Sequence, residues 1–247
     1  MYKHLIASGC SFTDEVFYET WVTPLSEYLN IPAINLGIAG SGNPTIARQT
    51  MFEVSKQLSQ GSHSKDILVG VMWSHPDRTD HFFDDTSGMY QHWVDNGMKE
   101  LWCGGKNPVS NAGDNTGWVI QQSHFPDEYS KIYYENFWSP LAAQIKTYEE
   151  ILRLQWFLKS YDIDYFFTNI SKSTLDETLI DNVNVKWMHD IVDWAKWLDC
   201  IGCYEWCKDN TDMEFHESEL HLPWQHPTSK MHQEFTKNVI VKFLKKG

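Results

Sequence analysis

Two side chains near opposite ends of the chain are of types that together make a nucleophile. Ser11 lies in Gly9-Cys10-Ser11-Phe12-Thr13, directly after a short apolar run, and His226 lies in Gln225-His226-Pro227, just before a helical pattern. An imidazole within reach of a serine hydroxyl takes its proton as the oxygen attacks a carbonyl. Pro227 restricts His226 to extended backbone and so limits where its ring points. Gly9 is expected to supply unusual backbone geometry that turns the following side chains outward. Cys10, beside Ser11, is an alternative nucleophile and a candidate substrate contact.

A carbonyl under attack needs donors for its developing negative charge. The stretch Asn35-Leu36-Gly37-Ile38-Ala39-Gly40 offers backbone N–H groups at a strand-to-helix turn, Gly40 among them. Trp73, Asn43 and Arg78 join Cys10 as candidate substrate contacts. Asp77 and Arg78 are equally suited to a surface ion pair.

These residues need elements to hold them. Lys3 to Ala7 and Ile31 to Leu36 read as strands, and Trp21 to Leu29 as a helix. Pro44 to Leu58 reads as a helix with Asn43 as N-cap and proline in the first turn. Asp66 to Trp73 is continuously apolar, as in a strand buried on both faces. This alternation predicts an α/β domain with a parallel sheet. Ser139-Pro140 starts a helix reaching Tyr161, Asp164 to Thr168 is a strand, Val185 to Leu198 a helix, and Thr228 to Leu244 the last helix. Between lies a long polar, glycine-rich and aromatic stretch, residues 76–137, read as an insertion with some structure of its own. Its expected role is a lid over a site, or else a decorative or oligomer-contact insertion. The whole chain, 1–247, reads as one domain.

Composition narrows the partners. The 247 residues carry 20 Lys and Arg against 33 Asp and Glu, a net charge of −13. That is unsuited to a nucleic-acid backbone, which needs clustered bases. No apolar stretch is long enough to span a bilayer, and the N-terminus lacks a signal-peptide pattern. The expected location is the cytoplasm. Cys200, Cys203 and Cys207 have a spacing open to metal or redox use, but a four-thiolate site needs a second pair that the chain lacks. Packed free thiols are the plainer reading, and no metal or cofactor is expected. The twelve Trp suit core packing or platforms for a sugar ring. His216 and His221 are spaced five apart, so one helix could not present both to a metal.

Three of these stretches carry a resemblance. Gly9 to Thr13, Asn35 to Gly40, and "QHPTSKMHQEF" after the last loop resemble, in order, the first, second and last blocks of the SGNH (GDSL-type) hydrolases. The wording is similar to members found in tailed phages, which implies a host cytoplasm. The resemblance implies a three-layer α/β/α domain, flavodoxin-like, with a mostly parallel five-stranded sheet. It implies hydrolysis of an ester, an acyl or acetyl group on a carbohydrate or other small molecule. Ser11 is then nucleophile and first oxyanion donor, Gly40 the second donor, and His226 the base. Two positions depart from the family. The third-block Asn is replaced by Ser74 or His75, and Pro223 stands where the family has the triad Asp. Glu219, or a backbone carbonyl, is left to orient the imidazole. A feeble or inactive binding module, and an acyltransferase using the same site, are the competing expectations.

Overall fold

The computed structural model describes residues 2–83, 117–123, 128–215 and 226–246. Four parallel strands form the central sheet: β1 (His4–Ser8), β2 (Ala33–Asn35), β3 (Ile67–Trp73) and β6 (Asp164–Asn169), in the order β2-β1-β3-β6. A separate antiparallel hairpin pairs β4 (Thr79–Phe83) with β5 (Gly117–Gln121). The helices are α1 (Val22–Leu29), α2 (Asn43–Ser59), α3 (Glu128–Asn136), α4 (Pro140–Ser160), α5 (Val183–Ile191), α6 (Cys203–Asn210) and α7 (Ser229–Phe235). A π-helical turn, Thr236–Ile240, carries α7 on into Val241–Leu244.

The sheet is buried on both faces because β3 is apolar along its whole length and β1 is apolar from Leu5 to Ala7. Alternation then sorts them. Ile6, Val69, Val71, Trp73 and Phe167 face a core built with Ile46 and Val54 of α2 and Tyr148, Ile151 and Leu154 of α4. Leu5, Ala7, Leu68, Met72 and Phe166 face the opposite core, with Trp21 and Leu25 near α1, Cys203 and Cys207 of α6, and Met231 and Phe235 of α7. Helices thus cover both faces of the sheet.

Among the described residues the expected fifth strand does not occur, and a single parallel bridge joins Phe167 and Trp197 at that edge. The same segment corrects the helix expected over Val185 to Leu198. The helix stops at Ile191, and Val192 turns to extended backbone. Gln155 of α4 closes that end: its Oε1 accepts from the Asp193 N–H at 2.7 Å and its Nε2 donates to the Ile191 carbonyl at 3.2 Å. The chain then reaches the sheet edge, where Leu198 N–H bonds the Phe167 carbonyl at 2.9 Å. A polar side chain from a neighbouring helix outweighs the helical periodicity here.

The first-turn proline of α4 and its Ser139 cap are as expected, with Ser139 Oγ accepting from Ala142 N–H at 3.1 Å. The cap of α2 differs: Gly42 holds that place without a side-chain bond, and Asn43 is the first helical residue. Within residues 76–137, the described part consists of the hairpin and α3. The hairpin is fastened to α2, where Asp80 accepts from Thr45 Oγ1 at 2.7 Å and pairs with Arg48.

Candidate functional site

Strands β1, β3 and β6 are parallel, so the loops after them emerge at one rim. Ser11 sits in the turn after β1, where Thr13 and Asp14 N–H groups both return to the Cys10 carbonyl. The role of Gly9 in this turn is steric. It is not among the residues with positive φ, which corrects the expected backbone geometry. A Cβ there would lie 2.2 Å from Thr13 Oγ1 and 3.0 Å from the Met72 carbonyl oxygen. Glycine lets the turn close against the end of β3.

His226 arrives from the other end of the chain. Pro227 follows it, and Thr228 caps α7 by accepting from Met231 N–H at 3.3 Å. Met231 and Phe235 anchor the helix in the core. His226 Nε2 lies 2.8 Å from Ser11 Oγ, across a sequence separation of 215. Phe12, almost wholly buried, packs its ring 5.1 Å from that of His226 and 6.3 Å from that of His232. His232 is fully buried and also stacks on Tyr18 at 6.4 Å, so it belongs to the packing behind the site. Burial, then the nearby Cys10, pushes the Tyr18 phenol well above its usual range.

The Ser11 turn is clasped to the loop after β2. Asn35 Nδ2 donates to the Thr13 carbonyl at 2.8 Å and to Glu15 Oε2 at 3.2 Å, while Asn35 Oδ1 accepts from Gly37 N–H at 2.8 Å. Glu15 Oε1 accepts from the N–H groups of Thr20 and Thr23 at 3.0 and 3.1 Å. Asp14 Oδ2 accepts from Ala39 N–H at 3.1 Å. In this loop Gly40 takes a left-handed backbone, φ +84, which a side chain would strain. Its carbonyl accepts from Gln122 Nε2 at 3.1 Å. The N–H groups of Ser11 and Gly40 have no protein acceptor among the described residues.

After β3 the structure separates residues that the sequence groups together. Trp73 is fully buried and packs edge-on to Phe167 at 5.4 Å, so it is a core residue and not a substrate contact. Asn43 is also buried, which removes it from the substrate contacts. Its amide grips the backbone of Ser74, accepting from N–H at 2.8 Å and donating to the carbonyl at 3.2 Å, and it donates to Thr147 Oγ1 at 3.1 Å. Ser74 Oγ accepts from Arg78 at 3.0 Å. Arg78 therefore turns inward, while Asp77 accepts from Ser123 Oγ at 2.8 Å. Among the described residues the two form no ion pair with each other.

His75 Nδ1 is 2.9 Å from Ser173 Oγ, which is 2.7 Å from Ser171 Oγ. Burial, then the Arg78 guanidinium, pull the His75 imidazole down to about 4 against the opposing pull of Asp77. The ring is neutral near pH 7, so one of its nitrogens keeps a proton to donate.

Cys10 is fully buried, with its sulfur 4.0 Å from Ser11 Oγ. Cys200, Cys203 and Cys207 are free thiols, and burial raises the Cys200 thiol to about 11 and Cys203 well above its usual value. No group of three or more His, Cys, Asp or Glu placed to hold a metal occurs among the described residues. No helix among them is long and apolar enough to cross a membrane. Glu219, Pro223, His216 and His221 lie outside the described residues.

Sequence reasoning missed the clasp of Asn35 and Glu15 and the partner of His75. The Asn35 signal was present: Asn two residues before Gly is the pattern of an Asx-turn, in which the side chain accepts the glycine N–H. No local pattern pointed to Ser173. A scan of the chain against protein-family models finds no match, and neither does a search of curated proteins.

Proposed function

We propose that the chain is a serine ester hydrolase of SGNH type, acting on an acyl or acetyl ester of a small molecule or carbohydrate. The observation that carries this reading is the 2.8 Å contact between Ser11 Oγ and His226 Nε2. It lies at the carboxyl rim of a parallel sheet, on a turn held in place by the loop after β2. The family's first and last blocks, matched by Gly9 to Thr13 and the stretch around His226, give the same two residues these roles.

In this reading Ser11 Oγ attacks the ester carbonyl while His226 Nε2 takes the hydroxyl proton. The N–H groups of Ser11 and Gly40 donate to the oxyanion, and the neutral His75 or the Ser74 hydroxyl replaces the family's Asn as third donor. His226 returns its proton to the departing alkoxide, leaving the acyl group on Ser11. Water, deprotonated by the same imidazole, then releases the acid.

Short p-nitrophenyl esters and a fluorophosphonate probe test the proposal. Turnover and labelling at Ser11, both lost in Ser11→Ala, are expected. Well-folded protein that neither hydrolyses any such ester nor takes the label at Ser11 overturns it and leaves a binding module on this scaffold.

A further inference from the structure

A cavity on the α2 and α4 side of the sheet has neither Ser11 nor His226 in its lining. Its wall includes Pro44 in the first turn of α2 and Ala143 in the first turn of α4. The positive ends of two long helices therefore border one space. Arg78 and Lys146 also line it, with the rings of Tyr133 and Trp138. Lys146 Nζ donates to Tyr133 OH at 3.2 Å and lies 5.7 Å from the centre of that ring. The Trp138 indole N–H is buried and has no hydrogen-bond partner among the described residues.

The wall carries two cations, Arg78 and Lys146, and uncharged Asn43, Thr79, Tyr133 and Thr147, which both donate and accept. One acid, Asp77, is in the wall, and its carboxylate already accepts from Ser123 Oγ at 2.8 Å. Arg78 gives one N–H to Ser74 Oγ at 3.0 Å, and a guanidinium carries five. The N–H groups of Ala142 and Ala143 are taken by Ser139, so α4 contributes its field more than direct bonds. In a chain of net charge −13 this concentration of positive potential runs against the overall field. The enclosed part is about 20 Å³, so only the leading atom of a ligand enters it and the rest lies toward the open side.

We propose that this cavity binds a small oxyanion, a carboxylate or phosphate group, held by Arg78 and Lys146 with the Trp138 N–H as a further donor. The ligand is a free anion or the charged end of a larger molecule whose flat or apolar part lies on the aromatic wall.

Indole N–H resonances in a nitrogen-15 correlation spectrum test this directly, with the Trp138 signal assigned through Trp138→Phe. Sodium phosphate and sodium acetate are titrated separately, at an ionic strength held constant with chloride. One or both anions should move the Trp138 signal saturably. The signal of Trp21, whose N–H bonds Thr13 Oγ1 at 3.0 Å, should stay in place. The tighter of the two anions identifies the group. Lys146→Met should weaken binding about tenfold or more, since it removes a charge-assisted contact, and Lys146→Arg should restore most of it. Ser11→Ala should bind as the parent does, which separates this site from the esterase reading. No saturable shift with either anion in the millimolar range overturns the proposal. So does unchanged affinity in a Lys146→Met protein that melts like the parent.

Discussion

Ser11 meets His226 through Nε2 at 2.8 Å, and Ser173 meets His75 through Nδ1 at 2.9 Å. Both serines follow strands of the same parallel sheet, at the same rim. Their surroundings differ. Ser11 is half-buried on a turn braced by Asn35 and Glu15, beside a glycine loop whose N–H groups suit an oxyanion. Ser173 is exposed, in a short turn, and shares its hydroxyl with Ser171. His75, held down to about 4, is too weak a base to activate a serine efficiently near neutral pH. A serine–histidine hydrogen bond is thus no measure of nucleophilicity. In the esterase reading, the braced turn and the oxyanion donors are what set Ser11 apart.

Substituting each serine gives the largest contrast. Ser11→Ala should remove probe labelling and lower ester turnover by about 10⁴-fold or more, as for loss of a nucleophile elsewhere. Ser173→Ala should keep the labelling and cost at most about tenfold, through looser placement of His75. Equal losses in steady-state kinetics would erase the distinction drawn between the two pairs.

The brace comes next. Asn35→Ala removes donors to Thr13 and Glu15 and leaves Gly37 N–H without its acceptor. A cost of about 1–3 kcal/mol in denaturant unfolding is expected. A fall in kcat larger than the change in KM should accompany it, since the Ser11 turn loses its support. Gly40→Ala tests the same loop from the other side. Its left-handed backbone and a Cβ only 2.4 Å from Gln122 Nε2 predict lower activity and a lower melting temperature.

The smallest effect is the pH response of His75. His75 titrates near 4 when folded and near 6.5 when unfolded, so the folded state binds fewer protons between these values. Its contribution is fully present above about pH 6.5 and is lost as pH falls toward 4, by at most about 3 kcal/mol. Glu150 works the other way. Burial lifts its carboxyl to about 7 despite Arg153, so its contribution is lost as pH rises from about 4.5 through 7. The comparison is therefore parent against His75→Asn. As pH falls from 6.5 to 4 the parent should lose stability relative to His75→Asn, and parallel unfolding curves would show that the His75 ring is not held neutral.

Much of the fold was legible because its signals are local. The all-apolar run of β3, the Ser139-Pro140 start of α4 and the Pro44 start of α2 each state their element within a few residues. Reading failed where a distant side chain intervened. The helix from Val183 ends at Ile191 because Gln155, on another helix, takes up its terminal groups. The same turn of chain makes only a bridge, Phe167 with Trp197, at the sheet edge. At the candidate site, Ser11 and His226 could be named from residue type with glycine and proline context, and Gly40 from the family resemblance. Trp73 and Asn43 were misread as substrate contacts because sequence does not tell which rim residues face inward.

The sequence by itself determined the residue types and the alternation of strand and helix. Both follow from neighbouring residues through periodicity, capping and turn chemistry. Only the tertiary structure decided which polar groups meet: Ser11 with His226, Asn35 with Thr13, Asn43 with Ser74, and Arg78 with Ser74 beside a cavity walled by Lys146. Each such meeting depends on how helices pack across the sheet. Hydrogen bonds reach about 3 Å, so ångström-scale differences in packing, invisible to any local pattern, select the partners.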